Sequence, residues 1–497
     1  MSKNIQPSRI KSGLLTVQTT TGSTNALLMQ NNTGSTVSYI TASGITWCAG
    51  TLITTPPSGS VSDLLLTWNS STKNISNSSI PMSSLTDRLW YGIQFDTTVG
   101  TTPCIRVGSA ELHRSLPIQS LIAAAVIADN KVIQYYLDPS DWTKKLTGGT
   151  AVLDGTDGQV MIVLPEFYAM AESVGNVRTM KISQYPLSGF TLHFTRKAIG
   201  AYEASVLRAS NKLSSVLNTT SAYRGGNNQS AWDLSGCTML GKPATLISRT
   251  NFRTYARNRG TGWEMLDYES HNQLFWLYYT EYANLNCQTA VNALLDINGF
   301  RQGGLGNGCT DVNGTSWSTF SSYYPVIPCG ASNTLATGTG EVSYTIPFSP
   351  TPFATKVCRY RGVELPWGHI YKNCDGVIID VITGATGTSK AYICRTPANY
   401  SDTTVVNYTL VGNIPRADGY IHEVFAGSFL PKVNTGGGST TYWCDYLYQS
   451  IAASIKRTLV LGGSATDGAP AGFGSSYTYY MPSNTNANIG SRLVLYF

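Results

Sequence analysis

Charge is scarce in this chain. Asp, Glu, Lys and Arg make up 12% of its 497 residues, about half the share usual in a globular domain. That excludes a coiled coil, a helical bundle and an acidic disordered protein, which all carry dense charge. Histidine is scarcer still. Five residues leave little material for a histidine-based centre, and no metal or other cofactor is expected. Long apolar runs are missing too. The most hydrophobic one, Leu121 to Ala128 (LIAAAVIA), is far too short to span a bilayer and is expected to be buried. The opening MSKNIQPSRI lacks the apolar core of a signal peptide, so no membrane insertion is expected. Cysteine is present ten times, but the closest pair, Cys358 and Cys374, stands sixteen residues apart. With no C-x2-4-C pair, zinc-ribbon and thioredoxin-like readings fail. Free, mostly buried thiols in a reducing cytosol are the simplest account.

Acid is absent from the N-terminus. The first is Asp63, while Lys3, Arg9 and Lys11 stand ahead of it in a chain of net charge +6. Three cations are too sparse to grip nucleic acid. They suit docking on an acidic protein surface; a solvated, frayed terminus is the other reading.

Gly (48 residues), Ser, Thr and Asn fill the space that charge leaves, beside a normal apolar share of 42%. This composition fits a loop-rich, mainly β protein with a few helices, of the α+β class. At about 150 residues per domain, three blocks are expected. Residues 1–90 read as short β pieces and loops, Ser38-Tyr39-Ile40 and Leu64-Leu65-Leu66 among them, with a turn at Pro56-Pro57-Ser58-Gly59 and a linker or exposed loop over 69–79. Residues 91–180 read as a connecting β module, with strands at 132–137 and 160–164. Residues 181–497 are the longest block. Phe190, Leu192 and Phe194 alternate with Thr191, His193 and Thr195, as a half-buried strand should. One helix is expected over 247–259, ended by Gly260 as a left-handed cap. A second opens at Ser270 with Gln273 completing a capping box, and presents Leu274, Leu277, Tyr278, Tyr282 and Leu285 on one face. Beyond 300 no long helical period is expected, and strands with Gly/Asn/Ser-rich loops take over, with no repeat or heptad shaft.

Catalytic readings are weak. Gly303-Gly304-Leu305-Gly306-Asn307-Gly308 lacks the Lys-Ser/Thr of a phosphate loop and reads as a surface turn. Glu264, Asp267 and Glu269 cluster where a helix dipole favours acids, so no carboxylate pair stands out for glycoside cleavage. His369, in Pro366-Trp367-Gly368-His369, reads as a structural histidine beside a packed Trp, not as a triad base.

The end of the chain is the most distinctive part. Tyr442-Trp443-Cys444-Asp445-Tyr446-Leu447-Tyr448 precedes Leu461-Gly462-Gly463-Ser464, then Gly468-Ala469-Pro470-Ala471-Gly472-Phe473 and Asn488-Ile489-Gly490-Ser491-Arg492-Leu493. This series resembles the C-terminal half of C-type-lectin-like domains of the formylglycine-generating-enzyme branch. That branch includes the variable proteins of diversity-generating retroelements. The strings 155–168 (GTDGQVMIVLPEFY), 199–205 (IGAYEAS) and 252–263 (FRTYARNRGTGW), the helix ending Glu281-Tyr282, and Arg361-Gly362-Val363-Glu364 with Trp367-Gly368-His369 add to it. Together they are similar to surface or fibre proteins of phages and prophages of gut Bacteroidales, over residues 130–497.

The resemblance implies a structural protein of a tailed-phage virion, located on the virion surface. It implies a homotrimeric head (capsid) fibre that displays a lectin-like domain to bind a host-surface glycan or protein. A tail fibre receptor-binding protein and a polysaccharide-cleaving tailspike are the alternatives. Capsid or tail proteins would be the mount, with Lys3, Arg9 and Lys11 at the docking end. The oxidases of the branch hold copper with a close cysteine pair, which Cys358 lacks, so no enzyme activity is expected. By position the binding residues would be Trp443, Tyr446, Asp467, Ser475, Ser476, Tyr477, Tyr479, Tyr480, Asn484 and Asn486. Tyr and Trp offer rigid amphipathic area, Ser and Asn adaptable hydrogen bonds.

Overall fold

The computed structural model describes residues 87–497, apart from 234–237, 321 and 348–351; of residues 1–86 it describes the backbone of six strands. Lys3, Arg9, Lys11 and the turn at Pro56–Gly59 lie outside the described residues. The chain divides into two units, 1–88 and 89–497. In the first, Asn25–Gln30, Thr36–Thr41, Ile45–Cys48 and Thr51–Thr54 form an antiparallel meander. Leu64–Asn69 and Asn74–Pro81 form a hairpin. The expected linker at 69–79 is therefore corrected: most of it is strand. Pairing of Trp68 with Ile75 and of Thr67 with Ser76 gives the polar stretch a ladder that its composition does not advertise.

The second unit is built on three larger sheets. The seven-stranded sheet runs Asp141–Lys145, Ile133–Asp138, Ala123–Ile127, Gln159–Leu164, Lys197–Gly200, Leu493–Tyr496, Trp263–Met265. The apolar run at 121–128 supplies its third strand, Ala123–Ile127, which is buried from Ala124 to Ile127 as expected, while Leu121 ahead of it is exposed. The five-stranded sheet places Phe167–Val174 and Val177–Ser183 beside Trp90–Asp96. The third sheet is centred on Tyr371–Val381, which pairs with Ser389–Ile393 on one side and Lys456–Leu461 on the other. The molecule is mainly β with few helices, as its composition leads one to expect.

The long helix Tyr268–Tyr282 packs on Tyr371–Val381 of the third sheet and on Trp90–Asp96 and Val177–Ser183 of the five-stranded one. All fifteen of its residues are buried. Two expectations are corrected here. The N-cap is Asp267, whose side chain accepts from the Ser270 amide at 2.9 Å, one turn before the expected box. Leu274, Leu277, Tyr278 and Tyr282 share a face, but it is not the only one covered, because every residue around the helix is buried. Leu285 lies past its end, beyond Ala283 in the left-handed region. The preceding helix spans Arg249–Arg257, capped by Ser248, and Asn258 ends it in right-handed geometry, so Gly260 is not its cap. The glycine-rich turn at 303–308 is not on the surface. Leu305 is fully buried, and its amide donates to Cys287 O at 2.8 Å.

All eight described cysteines are free, and six of them are buried. No described helix is long and apolar enough to cross a membrane.

Candidate functional site

Residues of the strings 199–205, 252–263 and 361–369 meet in the core as buried ion pairs. Glu203 stands between His369 Nδ1 at 2.6 Å and Lys372 Nζ at 2.8 Å. His369 Nε2 accepts from the Val326 and Ile327 amides, each at 3.0 Å. That fixes the proton on Nδ1, facing the carboxylate. The lysine and the imidazole hold Glu203 down to about 2 despite complete burial. Arg361 grips Glu281 with two bonds of 2.7 Å. Arg253 bridges Asp375 and Asp402. Arg492 donates to the carbonyls of Gly200, Ala201, Glu364 and Leu365 at 2.6–3.2 Å. These groups are consumed by the fold: His369 is structural, as its sequence context implies, and it has no nucleophile among its partners. Glu264 is tied to Arg257 and Glu269 to Arg395, so the acidic cluster before the long helix is also spoken for.

The terminal strands make a different surface. Tyr446–Gln449 lies parallel to Ser476–Thr478 and antiparallel to Gly419–Tyr420. The register sets Tyr448 beside Tyr477 and Tyr420 beside Tyr446. Side chains alternate along a strand. Leu447, Gln449, Ser476 and Thr478 face the core and are buried, while Tyr446, Tyr448 and Tyr477 take the other face and are half-buried. Tyr479 continues that face with 40% of its surface exposed.

The rings form a continuous row. Centroids stand 4.9 Å apart from Tyr420 to Tyr446, 4.5 Å to Tyr448, 5.3 Å to Tyr477 and 4.9 Å to Tyr479. Tyr480 stacks on Tyr477 at 5.0 Å, and Tyr371 reaches it from the central strand at 5.2 Å. Partial burial pushes the hydroxyls of Tyr446, Tyr448, Tyr477 and Tyr479 upward, so they stay neutral donors. Asp418 borders the row, within 3.4 Å of the Tyr479 hydroxyl.

Of the ten positions expected to bind, Tyr446, Tyr477, Tyr479 and Tyr480 come together in this row. Asp467 is half-buried and occupied: it accepts from the Tyr371 hydroxyl at 2.6 Å and from Ser464 N and Oγ at 2.9 Å. Asn484 closes a turn onto the Met481 amide at 2.7 Å. Asn484 and Asn486 are partly exposed. Trp443, Ser475 and Ser476 point inward. Trp443 is 1% exposed and stacks on Phe275 at 5.2 Å, while Ser475 and Ser476 bond the carbonyls of Pro470 and Gly474 at 2.8 and 3.0 Å. Three members of the row, Tyr371, Tyr420 and Tyr448, were not singled out from the sequence. Tyr448 had a signal, its alternation with Tyr446; the other two join only through sheet pairing.

Among the described residues no group of three or more His, Cys, Asp or Glu is placed to hold a metal ion. No protein-family model and no curated protein matches the chain. Solved structures similar to it include PvdO from Pseudomonas aeruginosa, 11% identical, with 70% of this chain and 98% of that one covered and a TM-score of 0.30. The Major Tropism Determinant M1 variant is 14% identical over 75% of this chain and 71% of its own, with a TM-score of 0.24. The U1 variant of the same determinant is 11% identical over 86% and 93%, with a TM-score of 0.20.

Proposed function

We propose that this chain is a structural protein of a tailed-phage virion and that it binds the host surface through its tyrosine row. The observation that carries this reading is the row itself. Five half-exposed or exposed rings in mutual contact, Tyr446, Tyr448, Tyr477, Tyr479 and Tyr480, present amphipathic area already ordered by a sheet, so little side-chain entropy is lost on contact. The sequence resemblance to phage fibre proteins points the same way. In this reading the protein is a homotrimeric head fibre on the virion surface. Residues 1–90 fix it to the capsid, with Lys3, Arg9 and Lys11 against an acidic shell protein. The row, with Asn484 and Asn486 as further contacts, meets a host glycan or surface protein, without catalysis and without a cofactor.

The test joins cryo-electron microscopy of virions with binding of the full chain to susceptible cells. Three copies projecting from the head, with the Tyr480 region outermost, and cell binding lost on Tyr448→Ala are expected. Projection from the tail moves the mount to a tail fibre. New reducing ends released from host capsule make the protein a tailspike. Normal adsorption of a virion lacking it removes the binding role.

A further inference from the structure

Asp418 stands at the Tyr479 end of the tyrosine row, and it is exposed. Its Oδ1 accepts from the Gln449 amide at 2.7 Å, which holds the carboxylate in place. Its Oδ2 meets the Tyr479 hydroxyl at 3.4 Å, a long bond that leaves this oxygen free to accept more. Among the described residues no cation pairs with it. Arg416, two positions away, donates instead to the carbonyls of Ile382 and Gly384 at 2.8 and 3.1 Å. Arg457 donates to the Tyr479 carbonyl.

The rest of the row carries the same sign. A tyrosine face is the negative end of its quadrupole. A second carboxylate, Asp467, accepts from the Tyr371 hydroxyl at the other end. The chain as a whole carries +6, so the row is an acidic aromatic surface on a basic protein. A phosphate or a uronic acid brought to it meets like charge.

We infer that the row takes the side chain of a lysine presented by a host surface protein, an inference that rests on the binding role proposed above. Lysine matches the row in two parts. Its four-carbon stem lies along apolar ring surface, and its ammonium reaches Asp418. Ring centroids 4.5–5.3 Å apart give the stem unbroken support. Arginine fits less well. Its planar fork is made for both oxygens of a carboxylate, and Oδ1 is already held by Gln449. A compact ammonium needs only Oδ2. A neutral sugar would use the rings and leave the carboxylate idle. The contact is non-covalent.

The experiment uses the full chain and susceptible cells. Asp418→Asn keeps an oxygen for the Gln449 amide and removes only the charge. It is expected to weaken cell binding about fivefold. Binding of the parent is expected to fall more steeply than that of the variant between about 0.05 and about 0.5 M salt. Acetylating the amines of the cells beforehand is expected to remove most of the parent's binding, a readout that needs no variant. Protease treatment of the cells is expected to do the same, and periodate oxidation of their glycans to spare it. The inference is overturned if Asp418→Asn binds as the parent does, if binding survives acetylation or protease, or if periodate abolishes it, which assigns the row to a glycan. Tyr448→Ala separates the two readings. Binding lost there and kept in Asp418→Asn leaves the row's role standing without the lysine; binding kept in both removes the role and the lysine together.

Discussion

A Cβ on Gly472 would stand 1.7 Å from Oδ1 of Asp445. The bare backbone at 472 is what lets the turn close over that carboxyl, and Gly474 N then donates to its other oxygen at 2.8 Å. An Ala there forces the Asp445 carboxyl or the turn itself to move. Gly472→Ala is expected to destabilise the protein by about 1–3 kcal/mol or more, read as a lowered Tm. Gly463→Ala meets the Ala471 Cβ at 2.5 Å and is expected to act alike.

Asp445 is buried with no cation beside it, and burial pushes its carboxyl up to about 8, against the lesser opposing effect of the Gly474 amide and the Tyr279 hydroxyl. Its folded value lies above its unfolded one. The folded state therefore keeps a proton that the unfolded chain has lost between about pH 4 and 8, and stability falls as pH rises through that window. Asp445→Asn is expected to remove this dependence and to exceed the parent in stability at pH 8, by on the order of 1–3 kcal/mol. Urea unfolding of both proteins at pH 5 and pH 8 checks it; equal slopes against pH would refute it.

Arg492 satisfies four carbonyls from two separate strings of sequence while 2% exposed. Arg492→Met leaves those acceptors unpaired and removes a buried cation near Glu203 and Glu364, and is expected to cost about 3–5 kcal/mol. Arg492→Lys keeps the charge but lacks the planar fork, and should recover part of the loss. Denaturant midpoints rank the three proteins.

The tyrosine row and Trp443 should separate cleanly. Tyr479→Ala removes a ring that is 40% exposed; it is expected to weaken cell binding while shifting stability by less than about 0.5 kcal/mol. Trp443→Ala empties a site packed against Phe275, Tyr279 and Phe95 and is expected to cost about 3–5 kcal/mol. Cell binding and thermal melting on the same preparations distinguish the two effects.

Periodicity made the strands at 132–137 and 160–164 legible, together with the existence of both helices, because each follows from a local pattern of apolar residues. The direction a strand faces was not legible. Tyr446-Leu447-Tyr448 and Ser476-Tyr477-Thr478 alternate whichever face is covered, and only their parallel pairing decides that the tyrosines look outward. In the sequence alone, Ser475 and Ser476 are as fit for display as Tyr477. Tyr420 and Tyr371 were hidden for another reason: they lie far from 446 in sequence and reach the row through sheet neighbours. The motif residues Glu203, Glu281 and Arg361 were visible as strings, but their pairing across the core was not, since ion pairs between distant segments leave no local spacing. The long helix misled for want of a polar face: an all-buried helix loses the stripe that marks its register.

The strand Leu493–Tyr496 fills the gap between Lys197–Gly200 and Trp263–Met265, and Arg492 bonds Gly200 across 292 positions of chain. A sheet completed by so distant a segment has no short route to its own nucleus. Closing that loop must precede the contacts that reward it, which places folding in the slow regime of non-local topologies. The same barrier stands in the way of return. Peeling this strand away breaks pairings on both of its sides before any entropy is recovered, so the unit, slow to assemble, is also slow to fall apart.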